Sequence, residues 1–246
     1  MDRLLYIAMS GADQINRAQT MHANNLANVG TTGFRADLAQ ARAMQVIGEG
    51  YSGRVYAMTE NPASNFQPGS MIETGRQLDV AIKGSGFLSV DSGQGQEAFT
   101  RAGNLTVDSL GMLRTAAGHA VLGDGGPIVL PPYERLMIGS DGTITVQAQG
   151  QGADALVQVS RIKLVDPQSS SIAKSEDGLF RRTDGGLEDS NSDVQLVSGF
   201  LESSNVNAVN EMTEILAMAR QFELQVRMMQ TAKENDESAA QLLRIS

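Results

Sequence analysis

The chain has 246 residues, enough for one large domain or two modest ones, with a formal net charge of −9 and no cysteine. The acidic balance, with no cluster of Lys and Arg, argues against nucleic acid or an anionic membrane surface as partner, and the lack of cysteine excludes disulfides, thiolate metal sites and Cys nucleophiles. Aromatic residues make up 4% of the chain, with no Trp, which disfavours an aromatic-lined small-molecule pocket.

Residues 1–29 read as a helix. Met1, Leu4, Ala8, Gly11, Ile15, Ala18, His22 and Asn25 recur at alternating spacings of three and four, the pattern of a coiled-coil seam. Small residues dominate the seam and let a partner helix approach closely. They bury little area, and at about 25 cal/mol per Å² they add little stability. Gly11 costs the helix about 1 kcal/mol against Ala, so this helix is expected to need partners. Asn28, Gly30 and Gly33 end it, as residues that tolerate the left-handed conformation. The opening Met1–Met9 is not expected to act as a cleaved secretory signal. Asp2 sits in the leading region, and Asp13, Asn16 and Arg17 follow where an apolar run should continue. No stretch approaches about 18 consecutive apolar residues, so no membrane-spanning helix is expected.

Gly, Asn, Pro and Ser accumulate over residues 43–75, and the reading for 36–75 is a loop or extended connection with short strands. Beyond it come strands. Phe87–Val90 precedes a loop from Asp91 to Gln96. Leu105–Val107 and Met112–Arg114 flank Asp108-Ser109-Leu110-Gly111, a hairpin. Met137–Val146 is a second hairpin around Asp141-Gly142, and 156–165 reads as one strand with clear alternation from Val159 onward. Repeated short strands with glycine turns indicate an antiparallel β domain.

Residues 205–245 carry the sharpest pattern. Met212, Ile215, Ala219, Phe222, Val226, Met229, Lys233, Asp236, Ala240 and Leu243 alternate by three and four, and eight of these ten are apolar. No Gly or Pro interrupts the run, and Glu202-Ser203-Ser204-Asn205 offers capping residues before it. An ordinary amphipathic helix folded on its own domain fits the same residues. The fold class is therefore α+β: N- and C-terminal helices forming a coiled-coil-like layer around a central antiparallel β-rich domain. The expected division is 1–35 plus 201–246 as a discontinuous helical domain and 36–200 as the β domain.

No catalytic, cofactor or metal site emerges. His22 and His119 lack carboxylates at ligand spacing. Gly84-Ser85-Gly86 begins like a dinucleotide loop, but Ser89 takes the third glycine's place and a strand follows, so it reads as a turn. Asp124-Gly125-Gly126 and Asp141-Gly142 lack the alternating ligands of a calcium loop.

Asn24-Asn25-Leu26-Ala27-Asn28-Val29-Gly30-Thr31-Thr32-Gly33-Phe34-Arg35 is unusual for a helix end. With Ala23, it resembles the N-terminal signature of the flagellar rod and hook protein family, A-N-N-L-A-N-x-x-T-x-G-F-[KR]. Leu201–Met212 resembles that family's second motif, L-E-x-S-N-V-[ND]-x-V-x-E-[ML], and Leu78–Leu88 with Phe99–Thr106 resembles its shared β-domain motif. The resemblance covers essentially the whole chain.

It implies a structural subunit of the bacterial flagellar basal-body rod, not an enzyme, polymerising through its terminal helices into the periplasm-spanning shaft that transmits torque. The length and the opening Met1–Tyr6 look most like a proximal rod subunit; a distal rod subunit is the alternative within the family. The implied partners are other rod subunits, proximal and distal, copies of the chain itself, and the flagellar type III export apparatus. The implied location is the rod within the periplasm. The implied assembly residues are Leu4, Ala8, Gly11, Ile15, Ala18, Asn24, Asn25, Leu26, Asn28, Thr31, Gly33 and Phe34 at the N-terminal end. At the C-terminal end they are Asn205, Val206, Met212, Ile215, Ala219, Phe222, Val226, Met229, Ala240 and Leu243. A different class of function, a periplasmic cell-wall-binding β module, would need exposed aromatic rings. The middle offers Tyr51, Tyr56, Phe66, Phe87, Phe99, Tyr133, Phe180 and Phe200, several of them on strand patterns that suggest core.

Overall fold

Among the described residues, two long helices and four short strands form one unit, which spans 1–28, 37–65 and 206–246; residues 29–36 and 66–205 form the other. The computed structural model describes residues 3–38, 41–45, 55–59, 63–93, 95–150 and 156–245. For 3–4, 41–45, 55–59, 239 and 242–245 it describes the backbone alone.

In the helical unit, α1 (Arg3–Ala27) and α2 (Ala208–Ile245) are 25 and 38 residues long, or about 37 and 57 Å at 1.5 Å per residue. They pack antiparallel, because His22 meets Glu211 while Gly11 meets Gln225. Small residues make the approach close: Ala8 and Ala12 on α1 and Ala232 on α2 are buried. A Cβ at Gly11 would stand 3.2 Å from the Gln225 amide nitrogen, so the glycine leaves room for that side chain.

Antiparallel pairs of β1 (Asp37–Leu38) with β4 (Ala63–Ser64) and β2 (Ala41–Gln45) with β3 (Val55–Thr59) complete this unit. β1 and β3 lie against α1. The cap of α2 differs from the expectation of 202–205. The Asn207 side-chain oxygen accepts hydrogen bonds from the N–H groups of Val209 and Asn210, and its carbonyl accepts from Glu211. The upstream residues are occupied in the β unit, so a residue nearer the helix caps it.

Among the described residues, the strand pairs of the β unit are antiparallel. Its strands are β5 (Met71–Glu73), β6 (Val80–Lys83), β7 (Phe87–Asp91), β8 (Glu97–Thr100), β9 (Leu105–Val107), β10 (Leu113–Thr115), β11 (Ala120–Gly123) and β12 (Gly126–Pro127). They continue with β13 (Tyr133–Ile138), β14 (Thr143–Ala148), β15 (Leu156–Arg161), β16 (Leu164–Val165), β17 (Ile172–Lys174), β18 (Phe180–Arg182), β19 (Gln195–Ser198) and β20 (Phe200–Glu202). The main sheet runs β17-β18-β8-β7-β11-β10-β9, with β12 on β11 and β16 on β7. A meander β13-β14-β15 and the pairs β19-β6 and β20-β5 surround it.

The two predicted hairpins form as β9-β10 and β13-β14. In the first, the Asp108 carboxylate accepts from the N–H groups of Leu110 and Met112, an Asx-type turn. The single strand expected over 156–165 is two. β15 pairs with β14, then Ile162 N–H bonds to Gly142 and Lys163 N–H to Leu122, and β16 pairs with β7. A register shift between Ile144 and Thr145 accompanies the break.

The core lies between these layers. Leu88, Val90, Leu105, Leu113, Val121 and Ile144 are each at most 1% exposed. A second cluster gathers Phe87, Phe99 and Phe180 with Val165 and Ile172, and Phe66 packs on it. Phe87 and Phe180 stand 5.3 Å apart between ring centroids, in the range where aromatic pairs gain beyond their buried area.

Candidate assembly interface

The signature at the end of α1 divides between the two units. In the helical unit, the buried Asn25 donates from Nδ2 to the Asp37 carbonyl and accepts from the Asp37 N–H, both at 2.9 Å. One side-chain amide thereby serves as a rung for the chain that returns as β1. Asn28 donates to the Asn24 carbonyl at 3.0 Å and closes the last turn. Asn24 is exposed, and Leu26 is half-buried.

Thr31, Gly33 and Phe34 belong to the β unit. Thr31 is exposed, and its carbonyl accepts from the Phe34 N–H. Gly33 is buried with φ of 69°, and a Cβ there would sit 2.3 Å from the Arg101 carbonyl carbon. Glycine is required twice over, for conformation and for space. Its N–H donates to the Glu202 carbonyl at 2.8 Å. Phe34 lies beneath the Lys174 ammonium, 3.8 Å from the ring centroid, and the same ammonium donates to the Arg35 carbonyl.

Arg35 is 1% exposed, as is Glu202. Glu202 Oε1 lies 2.7 Å from Arg35 Nη1 and accepts from the Gly69 N–H at 2.9 Å; Oε2 accepts from Arg101 Nη1 at 2.9 Å. The Arg35 contact is an ion pair without hydrogen-bond alignment. Arg101 also donates to the Gly84 carbonyl and lies over the Phe87 ring. Burial pushes the Arg101 guanidinium pKa down, with Glu202 opposing the shift and Arg35 adding to it.

Asn205 completes the same end of the β unit. Its Oδ1 accepts from the Ala36 N–H, its Nδ2 donates to the Gln67 carbonyl, and its own N–H reaches the Phe34 carbonyl. Arg35, Arg101 and Glu202 were not among the expected assembly residues. The signal for two of them is visible in the motifs: Arg35 is the one charged residue in Ala23–Arg35, and Glu202 is one of two acidic residues, with Glu211, in Leu201–Met212.

On the helices, Ala8 is buried, and Gly11, Ile15 and Ala18 are half-buried. Ile215, Ala219, Val226 and Met229 on α2 are half-buried, as is Val206 just before it, while Met212, Phe222 and Ala240 are exposed. The side chains of Leu4 and Leu243 lie outside the described residues. His22 Nδ1 lies 2.5 Å from Glu211 Oε2, both side chains mostly buried. Large apolar side chains remain at the surface: Leu5, Tyr6 and Met9 on α1, and Val209, Leu216, Leu224 and Met228 on α2. Among the described residues, no three His, Cys, Asp or Glu side chains gather as a metal site requires, and no helix is long and apolar enough to cross a membrane.

Three family profiles match along the chain: flagella basal body rod protein over residues 5–35, flagellar hook protein FlgE/F/G D1 domain over 81–146, and flagellar basal body rod FlgEFG protein C-terminal over 197–242. Flagellar basal-body rod protein FlgF of Salmonella typhimurium is 38% identical over the full length of both chains, and so is that of Escherichia coli. The FlgG rod protein of Bacillus subtilis is 31% identical over 95% of this chain and 96% of its own. The matched segments hold nearly all of α1, the part of the β unit from residue 81 to 146, and most of α2. With identity running end to end, the chain belongs to the flagellar basal-body rod protein family and is a structural subunit of the rod.

Proposed function

We propose that this rod subunit polymerises through its terminal helices, as a proximal rod component, into a shaft that crosses the periplasm and transmits torque. The supporting observation is the surface of the helix pair. Val209, Met212, Leu216, Leu224 and Met228 on α2 and Leu5, Tyr6 and Met9 on α1 leave large apolar side chains in water. Val209, Met212 and Leu216 recur at spacings of three and four, which puts them on one side of α2, and an exposed apolar stripe of this kind supports a packing partner. The register of the pair also leaves the last part of α2 beyond the first described residue of α1, since Gly11 already meets Gln225.

A heterologous, non-closing contact of such surfaces propagates into a helical filament. The partners are then copies of this chain and neighbouring rod subunits, delivered by the flagellar type III export apparatus. The proximal position rests on the resemblance of the opening residues, and the higher identity to the FlgF proteins agrees with it.

Phe222→Asp and Val226→Asp are expected to abolish incorporation into isolated basal bodies while the β unit stays folded by circular dichroism. Incorporation of both at the wild-type level would refute the reading. The cell-wall alternative loses its main support, because Phe87, Phe99 and Phe180 are buried together and do not offer sugar-stacking faces.

A further inference from the structure

Rod assembly, on the reading just given, needs each β unit to present its chain exits in one arrangement. Those exits are residues 29–36, between α1 and β1, and residues 203–205, after β20. The first is tied to the β unit by the side chain of Glu202, the residue that leads directly into the second, and Ser203 N–H bonds the Ser70 carbonyl. Glu202 takes Arg35 from the first exit, Arg101 from the end of β8 and the Gly69 N–H from the chain entering β5, all on one buried carboxylate. Its backbone carbonyl takes the Gly33 N–H. Asn205 then bonds Ala36 and Phe34 of the first exit and Gln67 of the entering chain.

Two guanidinium groups around one carboxylate leave a buried excess of positive charge. A buried network of this kind is weak evidence for stability. Replacing it by apolar residues of similar volume is often neutral or stabilising, whereas removing one member leaves an uncompensated charge. Arg35 Nε, Nη1 and Nη2 and Arg101 Nε have no hydrogen-bond partner, so both cations depend on the position of this one carboxylate, and moving it strands buried charge.

We propose that Glu202 is a positioning residue for rod assembly: it clasps the incoming and outgoing chain segments of the β unit at a fixed spacing before any neighbour is met. The inference locates a specific determinant outside the helices, in residues whose side chains are too buried to touch a partner.

Glu202→Gln keeps the shape and removes the charge. In the full-length chain, amide hydrogen exchange read by mass spectrometry is expected to speed up at least tenfold over 33–36, 69–70 and 203–205. Exchange in β7 and β8 should stay unchanged, and incorporation into basal bodies should be lost. A disulfide introduced as Ser70→Cys with Ser203→Cys, whose hydroxyl oxygens lie 2.9 Å apart, restores the outgoing tether without the charge. It is expected to recover incorporation in the Gln background when oxidised and not when reduced. Normal incorporation of Glu202→Gln with faster exchange at the exits overturns the proposal, and so does unchanged exchange there.

If Glu202→Gln unfolds the β unit, Asn205→Ala carries the same test, since it loosens both exits without stranding a charge; wild-type incorporation with faster exit exchange again overturns the proposal. Failure of the helix-surface variants to affect incorporation would instead strike the assembly reading, so the two are separable.

Discussion

His22 on α1 and Glu211 on α2 lie 189 positions apart in the chain, and their Nδ1 and Oε2 atoms meet at 2.5 Å. The contact pins one end of the helix pair, while Gly11 against Gln225 sets its middle. Both side chains are mostly covered, so the hydrogen bond between them is sheltered from competition by water. Glu211→Gln is expected to loosen the pairing by about 1 kcal/mol. Amide exchange in α1 of the full-length chain should rise by about fivefold, the same energy expressed as an opening equilibrium. Unchanged α1 exchange would show that the contact adds nothing to helix pairing.

Gly33→Ala should destabilise the β unit by more than about 1 kcal/mol. A side chain at φ of 69° is strained, and its Cβ would meet the backbone of Arg101 and Ala102. Gly30, with nothing within 4 Å of its Cβ position, is the internal control, and Gly30→Ala should leave the midpoint of thermal unfolding nearly unchanged. Equal midpoints for both variants would remove the steric explanation.

Glu97 gives the β unit a defined acid sensitivity. Burial raises its pKa, but Lys163, the Ser89 hydroxyl and the Glu188 N–H outweigh burial and hold the carboxyl below its ordinary 4.5. The folded state therefore binds the proton less readily than the unfolded one, and stability rises with pH through this range. Its contribution is complete above 4.5 and is lost as pH falls through the lowered folded value. Glu97→Gln should unfold more easily at neutral pH and show a flatter dependence below pH 4.5, measured by denaturant titration at each pH. Parallel curves for the two proteins would exclude this group as a source of the acid response.

Phe180 sits 2% exposed between Phe66 and Phe87. Phe180→Ala is expected to cost about 3–5 kcal/mol, the range for emptying an aromatic site in a packed core. Chemical denaturation should show a lower midpoint with little change in slope. A cost under about 1 kcal/mol would mean that the cluster collapses around the gap.

Local signals carried much of this fold. The unbroken spacing after Asn205 marks α2, and the turns Asp108–Gly111 and Asp141-Gly142 mark their hairpins, because capping and turn chemistry act within a few residues. What stayed hidden is non-local. Nothing near Val80 says that β6 pairs with β19, and nothing in 156–165 says that the chain changes partners at Ile162. The face that α2 turns toward α1 depends on register. Glu211 and Gln225 are placed there by their contacts, one position before Met212 and Val226 of the expected seam. The motifs drew attention to Phe34 and Asn205, but the meaning of Arg35 and Glu202 required the fold to bring the ends of the β unit together.

The joint formed by Arg35, Arg101 and Glu202 also links the two ends of the β unit's chain segment. Its carboxylate arrives with the last strand of the β unit, whereas one of its cations precedes the first. Loop closure over such a distance is entropically costly and slow relative to local hairpins. A growing or emerging chain that has not yet released residue 202 holds two arginines that lack their shared counter-ion. The joint is therefore a contact of long sequence separation that only a chain extending to residue 202 can make.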